Sequence, residues 1–172
     1  MSTDMTCLPT VTLEQVLARR PCWPQEQIRE AAGARGWTAD EVLALEDTPP
    51  ADRLWVVLHP DWLPPWILRL SAADCAMRAL HRERVAGREP DPRSWAAARC
   101  ARDHGLCTLA DAELAAAWSA ARSAARSAEA AAWARSPWSA AAWSAAAEAE
   151  RQKQVDRLQG LLRWARETGR LA

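Results

Sequence analysis

The sequence contains no phenylalanine, no tyrosine and no asparagine, and all but one of its 22 Lys and Arg residues are arginine. Eleven tryptophans are the only aromatic side chains, so any aromatic packing in the core depends on indole rings. The 22 acidic residues balance the 22 basic ones. The chain therefore lacks the strong basic excess that is typical of general nucleic-acid binding.

The chain also lacks any run of about 18 apolar residues, so we expect no membrane-spanning helix. Its first residues, MSTDMTCLPT, have neither a basic region nor an apolar run, which predicts no secretory signal and a cytoplasmic protein. Five cysteines are an odd number. Without an export signal, we expect them to be free thiols.

Motifs with established chemistry are missing as well. The sequence has no Gly-rich phosphate loop, nucleophile elbow or paired-histidine metal motif. Four aspartates lie near histidines or arginines along the chain: Asp61, Asp74, Asp91 and Asp103. Sequence proximity alone does not assemble a catalytic group, so we predict that the protein is not an enzyme and uses no cofactor.

A zinc site is the second chemical possibility. Cys100, His104 and Cys107 form a C-x3-H-x2-C pattern, and Cys75 or His81 could supply a fourth ligand. The spacing matches no standard zinc finger or ribbon. Small buried cysteines are common in helical cores, so we predict no metal.

Helix signals are strongest between Ala110 and Glu150, where roughly half of the residues are alanine, the best helix former. Pro137 is the one residue in this stretch that opposes a helix interior, and Ser136 can cap a new helix that has proline at its first position. The stretch therefore predicts two long helices. The second is expected to end near Thr168.

Shorter helices are predicted before this stretch. Helix N-termini are indicated by two capping boxes and by one N-cap followed by proline: Thr12 with Gln15, Thr38 with Glu41, and Asp91 with Pro92. The apolar run WVVL follows Pro49 and Pro50, which favour a helical first turn over a buried strand. The predicted ranges are 12–20, 25–34, a helix after Thr38, a helix after Pro50, 66–85 and 92–104.

These signals predict an all-α fold. We expect a small cap of short helices over residues 1–48 and an Ala/Trp/Arg-rich helical bundle over residues 49–172, together forming one compact unit. The N-terminal helices also have the outline of a helix-turn-helix. However, that segment is net acidic and its candidate recognition helix, QEQIREAAGAR, has only two arginines, so nucleic acid is not the expected partner.

One face of the first long helix combines tryptophan and arginine. At 100° per residue, an arc of about 80° contains five side chains: Trp118, Arg122, Arg126, Glu129 and Trp133. Tryptophan and arginine are enriched at binding hot spots, so this Trp/Arg stripe is the candidate binding site. The alternative is that both indoles are buried between helices while the arginine stems run along them.

A second stripe, of alanines, lies beside the first on the same helix. It contains Leu114 and small residues: Ala117, Ala121, Ala125, Ala128 and Ala132. Small side chains allow another helix to approach closely, either within the chain or from a second copy. Because two-fold pairing is the commonest closed symmetry, we expect a homodimer.

Three segments carry a resemblance to a known family: DRLWVVL, the DPRSW loop that enters an Ala/Arg helix, and the Ala-rich block from Leu114 to Trp143. Over Pro49–Leu162 the chain resembles the Imm-5-like immunity proteins, which are Ala/Trp/Arg-rich proteins of bacteria and bacteriophages. The resemblance implies an immunity-like function, in which a toxin or effector is neutralised by binding. It assigns no functional residue.

We therefore expect an inhibitor that acts by stoichiometric protein binding, either an immunity factor or a phage-encoded anti-defence antagonist. A first alternative is that the chain sequesters a small anionic ligand, such as a signalling nucleotide, between Trp and Arg side chains. A second alternative is a purely structural or self-assembling helical protein. If the stripe is not the interface, the Asp61–Trp66 connection or the acidic N-terminal segment is the next candidate.

Overall fold

The computed structural model describes residues 8–18, 26, 28–29, 36–106 and 140–171, and within the last range it describes side chains from residue 147 onward. Over these residues six α-helices are defined: α1 (Leu13–Ala18), α2 (Ala39–Leu43), α3 (Pro50–Val57), α4 (Pro65–Val85), α5 (Pro92–Gly105) and α6 (Ala140–Glu167). In this part of the chain the one β pairing is an isolated bridge between Val11 and Trp37. The predicted all-α class is confirmed.

Two compact units make up the chain. The first contains Met1–Pro64 together with Ala147–Ala172, and the second contains Pro65–Ala146. The predicted boundary between 1–48 and 49–172 stays a prediction. Most of the predicted helix 25–34 and the long helix before Pro137 lie outside the described residues, as does the break at Pro137 itself.

The helix N-termini begin where their capping residues predict. Thr38 and Glu41 form a complete capping box at α2, in which the Thr38 N–H donates to Glu41 Oε2 at 2.8 Å and the Glu41 N–H donates to Thr38 Oγ1 at 3.4 Å. Thr12 and Gln15 form the same pair of bonds at α1. At α5, Asp91 accepts from the N–H of Arg93 at 2.8 Å. These side chains satisfy amide groups that a helix start leaves unpaired.

Among the described residues, the first unit contains the larger share of the wholly buried side chains. α6 buries the face that its periodicity predicts, with Leu161 half-buried at its edge. The buried members of the unit include Val42, Leu43, Val57, Trp62, Leu63, Val155, Leu158, Leu162 and Ala165. Three side-chain links join α6 to earlier parts of the unit: Arg53 to Gln152, Gln159 to the Leu43 carbonyl, and Arg166 to Asp40.

Gly36 allows the N-terminal segment to close on the chain before α2. Its φ is +75°, and a Cβ atom at this position would lie 2.4 Å from the Val11 carbonyl oxygen. The adjacent residues exchange two backbone bonds, from Val11 N to Trp37 O at 2.8 Å and from Trp37 N to Val11 O at 3.0 Å. Glycine is therefore required both by the backbone conformation and by the close approach.

In the second unit α4 and α5 pack against each other. α4 buries Ile67, Leu70 and Ala73, and a Cβ at Gly105 of α5 would lie 2.9 Å from the Leu70 side chain. The i, i+3, i+4 spacing of apolar residues in the sequence extends this face to Met77 and Leu80, but both are only half-buried, and residues 81–89 are exposed throughout. Among the described residues, α4 therefore contributes to the core of this unit only through its N-terminal half.

α4 ends in a Schellman motif at Gly87. The Gly87 N–H donates to the Arg84 carbonyl and the Arg88 N–H donates to the Glu83 carbonyl, with Gly87 at φ +77°. α6 ends with the same pair of bonds, from Gly169 and Arg170. No helix in the described part of the chain is long and apolar enough to cross a membrane.

Candidate functional site

The predicted Trp/Arg stripe lies outside the described residues. Its members Trp118, Arg122, Arg126, Glu129 and Trp133 all fall in the range 107–139. The neighbouring alanine stripe falls in the same range. Both surfaces therefore stay predictions, together with the homodimer that the alanine stripe suggested.

A different apolar surface is exposed on α3. Among the described residues, three large apolar side chains are exposed, and two of them, Trp55 and Leu58, lie one helical turn apart. Trp55 is 49% exposed and Leu58 is 42% exposed. At 100° per residue, Leu58 and the half-buried Ala51 both fall within about 60° of Trp55. These three residues are called the Trp55 surface below.

α3 exposes this face because its apolar residues form a continuous run. Leu54, Val56 and Val57 are buried, and they lie about 100° or more from Trp55 around the helix axis. A run of five apolar residues covers every side of a helix, so at least one apolar side must face outward when the helix packs on one side only. That signal is present in the sequence RLWVVLH.

One carboxylate of α3 lies near the Trp55 surface on the helical wheel. Asp52 is about 60° from Trp55 on the wheel. In the following turn, Asp61 lies next to His59, with the Asp61 N–H donating to His59 Nδ1 at 3.3 Å. In the Asp61–Trp66 connection, the next candidate interface, Trp62 and Leu63 are wholly buried, whereas Asp61 and Pro65 are exposed.

On the opposite side of α3 the first unit has an open groove with a volume of about 420 Å³. It is lined by Glu46, Asp47, Thr48, Pro49, Pro50, Arg53, Glu148, Ala149 and Gln152. Three of these residues are carboxylates with exposed side chains, and one is a buried arginine. The groove is therefore acidic, with proline and alanine walls.

Arg53 is only 5% exposed although it carries a charge. Its Nη1 donates to the Leu43 carbonyl at 2.7 Å, and its Nη2 donates to Gln152 Oε1 at 2.8 Å. The Nε atom is buried with no hydrogen-bond partner. Arg53 thus connects the C-terminal carbonyl of α2 to α6 through neutral oxygen acceptors. Its role is therefore structural.

The candidate metal ligands and acid–base groups of the sequence lie mainly in the second unit. Cys75 and Cys100 are half-buried, whereas Cys107 lies outside the described residues. Within the described ranges no group of three His, Cys, Asp or Glu side chains could hold a metal ion. The zinc pattern therefore gains no support from the residues that can be placed.

Each of the four aspartates considered for catalysis has a cation or a histidine nearby in sequence. The pairs are Asp61 with His59 at 3.4 Å, Asp74 with Arg78 at 3.3 Å, Asp91 with Arg93 at 2.6 Å and Asp103 with Arg102 at 3.6 Å. Hydrogen bonds from the Arg93 side chain and backbone lower the pKa of Asp91 from 3.8 to about 2. Each of these four carboxylates thus has a basic side chain as a near neighbour in the structure.

No protein-family model, no curated protein and no solved structure matches this chain. The resemblance to Imm-5-like immunity proteins accordingly remains a prediction from the three segments that carry it.

Proposed function

We propose that this protein acts by binding another protein and performs no chemistry of its own. The observation that carries the proposal is the Trp55 surface, where a half-exposed indole of α3 and the exposed leucine that caps the C-terminus of that helix lie three positions apart. An indole offers a large rigid contact area, and tryptophan is among the residues most enriched at binding hot spots. A partner that covered Trp55 and Leu58 would remove apolar area from water, which favours association.

The proposed biological role is neutralisation, in which the chain occludes a toxin, an effector or a defence protein in a bacterial cytoplasm. Support for this role comes from the resemblance to immunity proteins and from the lack of any catalytic motif in the sequence. The gene would belong either to the bacterium or to a phage that infects it. In both cases the partner is held in a stoichiometric complex.

The first experiment identifies the partner by affinity capture from the host, followed by native mass spectrometry of the purified complex. The binding affinity is then measured for the wild type, for Trp55→Ala and for Leu58→Ala. We expect Trp55→Ala to weaken binding about thirtyfold, corresponding to a hot-spot loss of about 2 kcal/mol. Co-expression should also restore growth to cells that produce the partner.

Val85→Ala is the matched control for this experiment. Val85 is a large apolar residue that is 75% exposed, but it lies at the C-terminal end of α4 in the second unit. The control variant should bind with wild-type affinity. If Trp55→Ala also binds at wild-type affinity, the Trp55 surface is not the interface.

Arg122→Ala and Arg126→Ala test the Trp/Arg stripe as the interface instead. Each should reduce affinity by about 1–2 kcal/mol if the stripe binds the partner, while helix content is retained because alanine is the better helix former. Loss of binding in these variants, with Trp55→Ala unaffected, would move the interface to the stripe. Multiple turnover of a substrate by purified protein, abolished by a point mutation, would refute the binding proposal as a whole.

The nucleotide alternative has its own signature. Protein purified from its host would carry a bound compound that absorbs near 260 nm and is released on denaturation. Capture of a partner polypeptide without such a compound favours the protein-binding proposal.

A further inference from the structure

We draw no further inference here: the strongest candidate, the acidic groove of about 420 Å³ beside Arg53 in the first unit, carries nothing because its carboxylate cluster has no second feature that points to a ligand, the one guanidinium nitrogen of Arg53 without a hydrogen-bond partner being itself buried.

Discussion

Gly36 and Gly87 have nearly the same positive φ but different surroundings. Comparing them separates the two reasons for a glycine, which are the backbone conformation and the lack of space for a Cβ atom. A Cβ at Gly36 would lie 2.4 Å from the Val11 carbonyl oxygen, whereas a Cβ at Gly87 would meet nothing within 4 Å. We expect Gly87→Ala to cost about 1–2 kcal/mol, the conformational penalty of a left-handed residue. Gly36→Ala should cost more, because the bridge between Val11 and Trp37 must also open.

Urea denaturation monitored by circular dichroism measures both glycine variants. Gly160→Ala serves as the control, since Gly160 lies inside α6 with open space around it. Alanine is the better helix former, so the free energy of unfolding of this variant should rise by about 0.5–1 kcal/mol. Equal losses in Gly36→Ala and Gly87→Ala would show that the close contact with Val11 contributes nothing.

Asp91 makes the stability of the second unit depend on pH. Its folded-state pKa of about 2 lies below the ordinary value of 3.8, so its ionised form stabilises the fold above pH 4. That contribution decreases as the pH falls below about 4, and it is lost as the pH falls through the folded-state pKa of about 2. Asp91→Asn retains a helix-capping side chain but removes the charge, so it should be less stable than the wild type at pH 6.

The measurement for Asp91 is the difference in melting temperature between wild type and Asp91→Asn across this pH range. The difference should shrink on acidification and approach zero only below pH 2, because a carboxyl with a pKa of about 2 is still half ionised at pH 2. A difference that stays constant with pH would mean that the charge of Asp91 is not responsible.

At the scale of elements, Arg53 connects three helices through hydrogen bonds. We expect Arg53→Met to change the free energy of unfolding by no more than about 1 kcal/mol, because avoiding guanidinium burial offsets the two lost bonds. The Leu43 carbonyl would keep its bond from Gln159 at 3.2 Å. Arg53→Ala should cost about 2–4 kcal/mol because it leaves a cavity.

Chemical denaturation of the two Arg53 variants separates the bonds from the packing. A large loss in the methionine variant, close to that of the alanine variant, would show that the hydrogen bonds dominate. The half-buried Gln152 can bond to water when Arg53 is absent, which is why the smaller loss is expected.

The helix boundaries could be predicted because their signals are local. Thr38 with Glu41 and Asp91 with Pro92 each lie within a few positions of the helix they begin, and both N-termini are confirmed. The same holds for the buried face of α6, where spacing alone selects Val155, Leu158 and Leu162. Sequence pattern was sufficient to predict these features because the residues that determine them lie within a few positions of one another.

The burial of Arg53 and the groove beside it could not be predicted in this way. The partners of Arg53 include Gln152, which is 99 positions away along the chain. The pairing of Val11 with Trp37 depends on Gly36, whose positive φ has no periodic signature. The exposure of Trp55 depends on which side of α3 packs, which is a property of tertiary structure.

At the scale of the whole molecule, the first unit is built from two segments that are far apart in the sequence, so we expect its N-terminal segment to depend on the C-terminal one. Removing residues 147–172 would delete the three links to Asp40, Leu43 and Arg53 and the buried residues of α6. We expect amide protection in α2 and α3 to disappear in the truncated chain, as measured by hydrogen exchange. Leu158→Ala in the full chain should weaken this protection only in part, with the free energy of unfolding lowered by about 2–5 kcal/mol.

Retained protection of α2 and α3 after truncation would show that the N-terminal segment folds without α6. Protection of α4 and α5 provides an internal reference in the same experiment, since both helices lie in the second unit.

The 99 positions between Arg53 and Gln152 also determine how long Arg53 waits for this partner during synthesis. At about 5–20 residues per second, the arginine leaves the ribosome roughly 5–20 seconds before its glutamine partner. Over that interval the Arg53 guanidinium and the Leu43 carbonyl can bond to each other, but Gln152 and Gln159, their partners on α6, have not been translated. All residues of the second unit are translated before residues 147–172, so the first unit can be completed only after its second segment has been made.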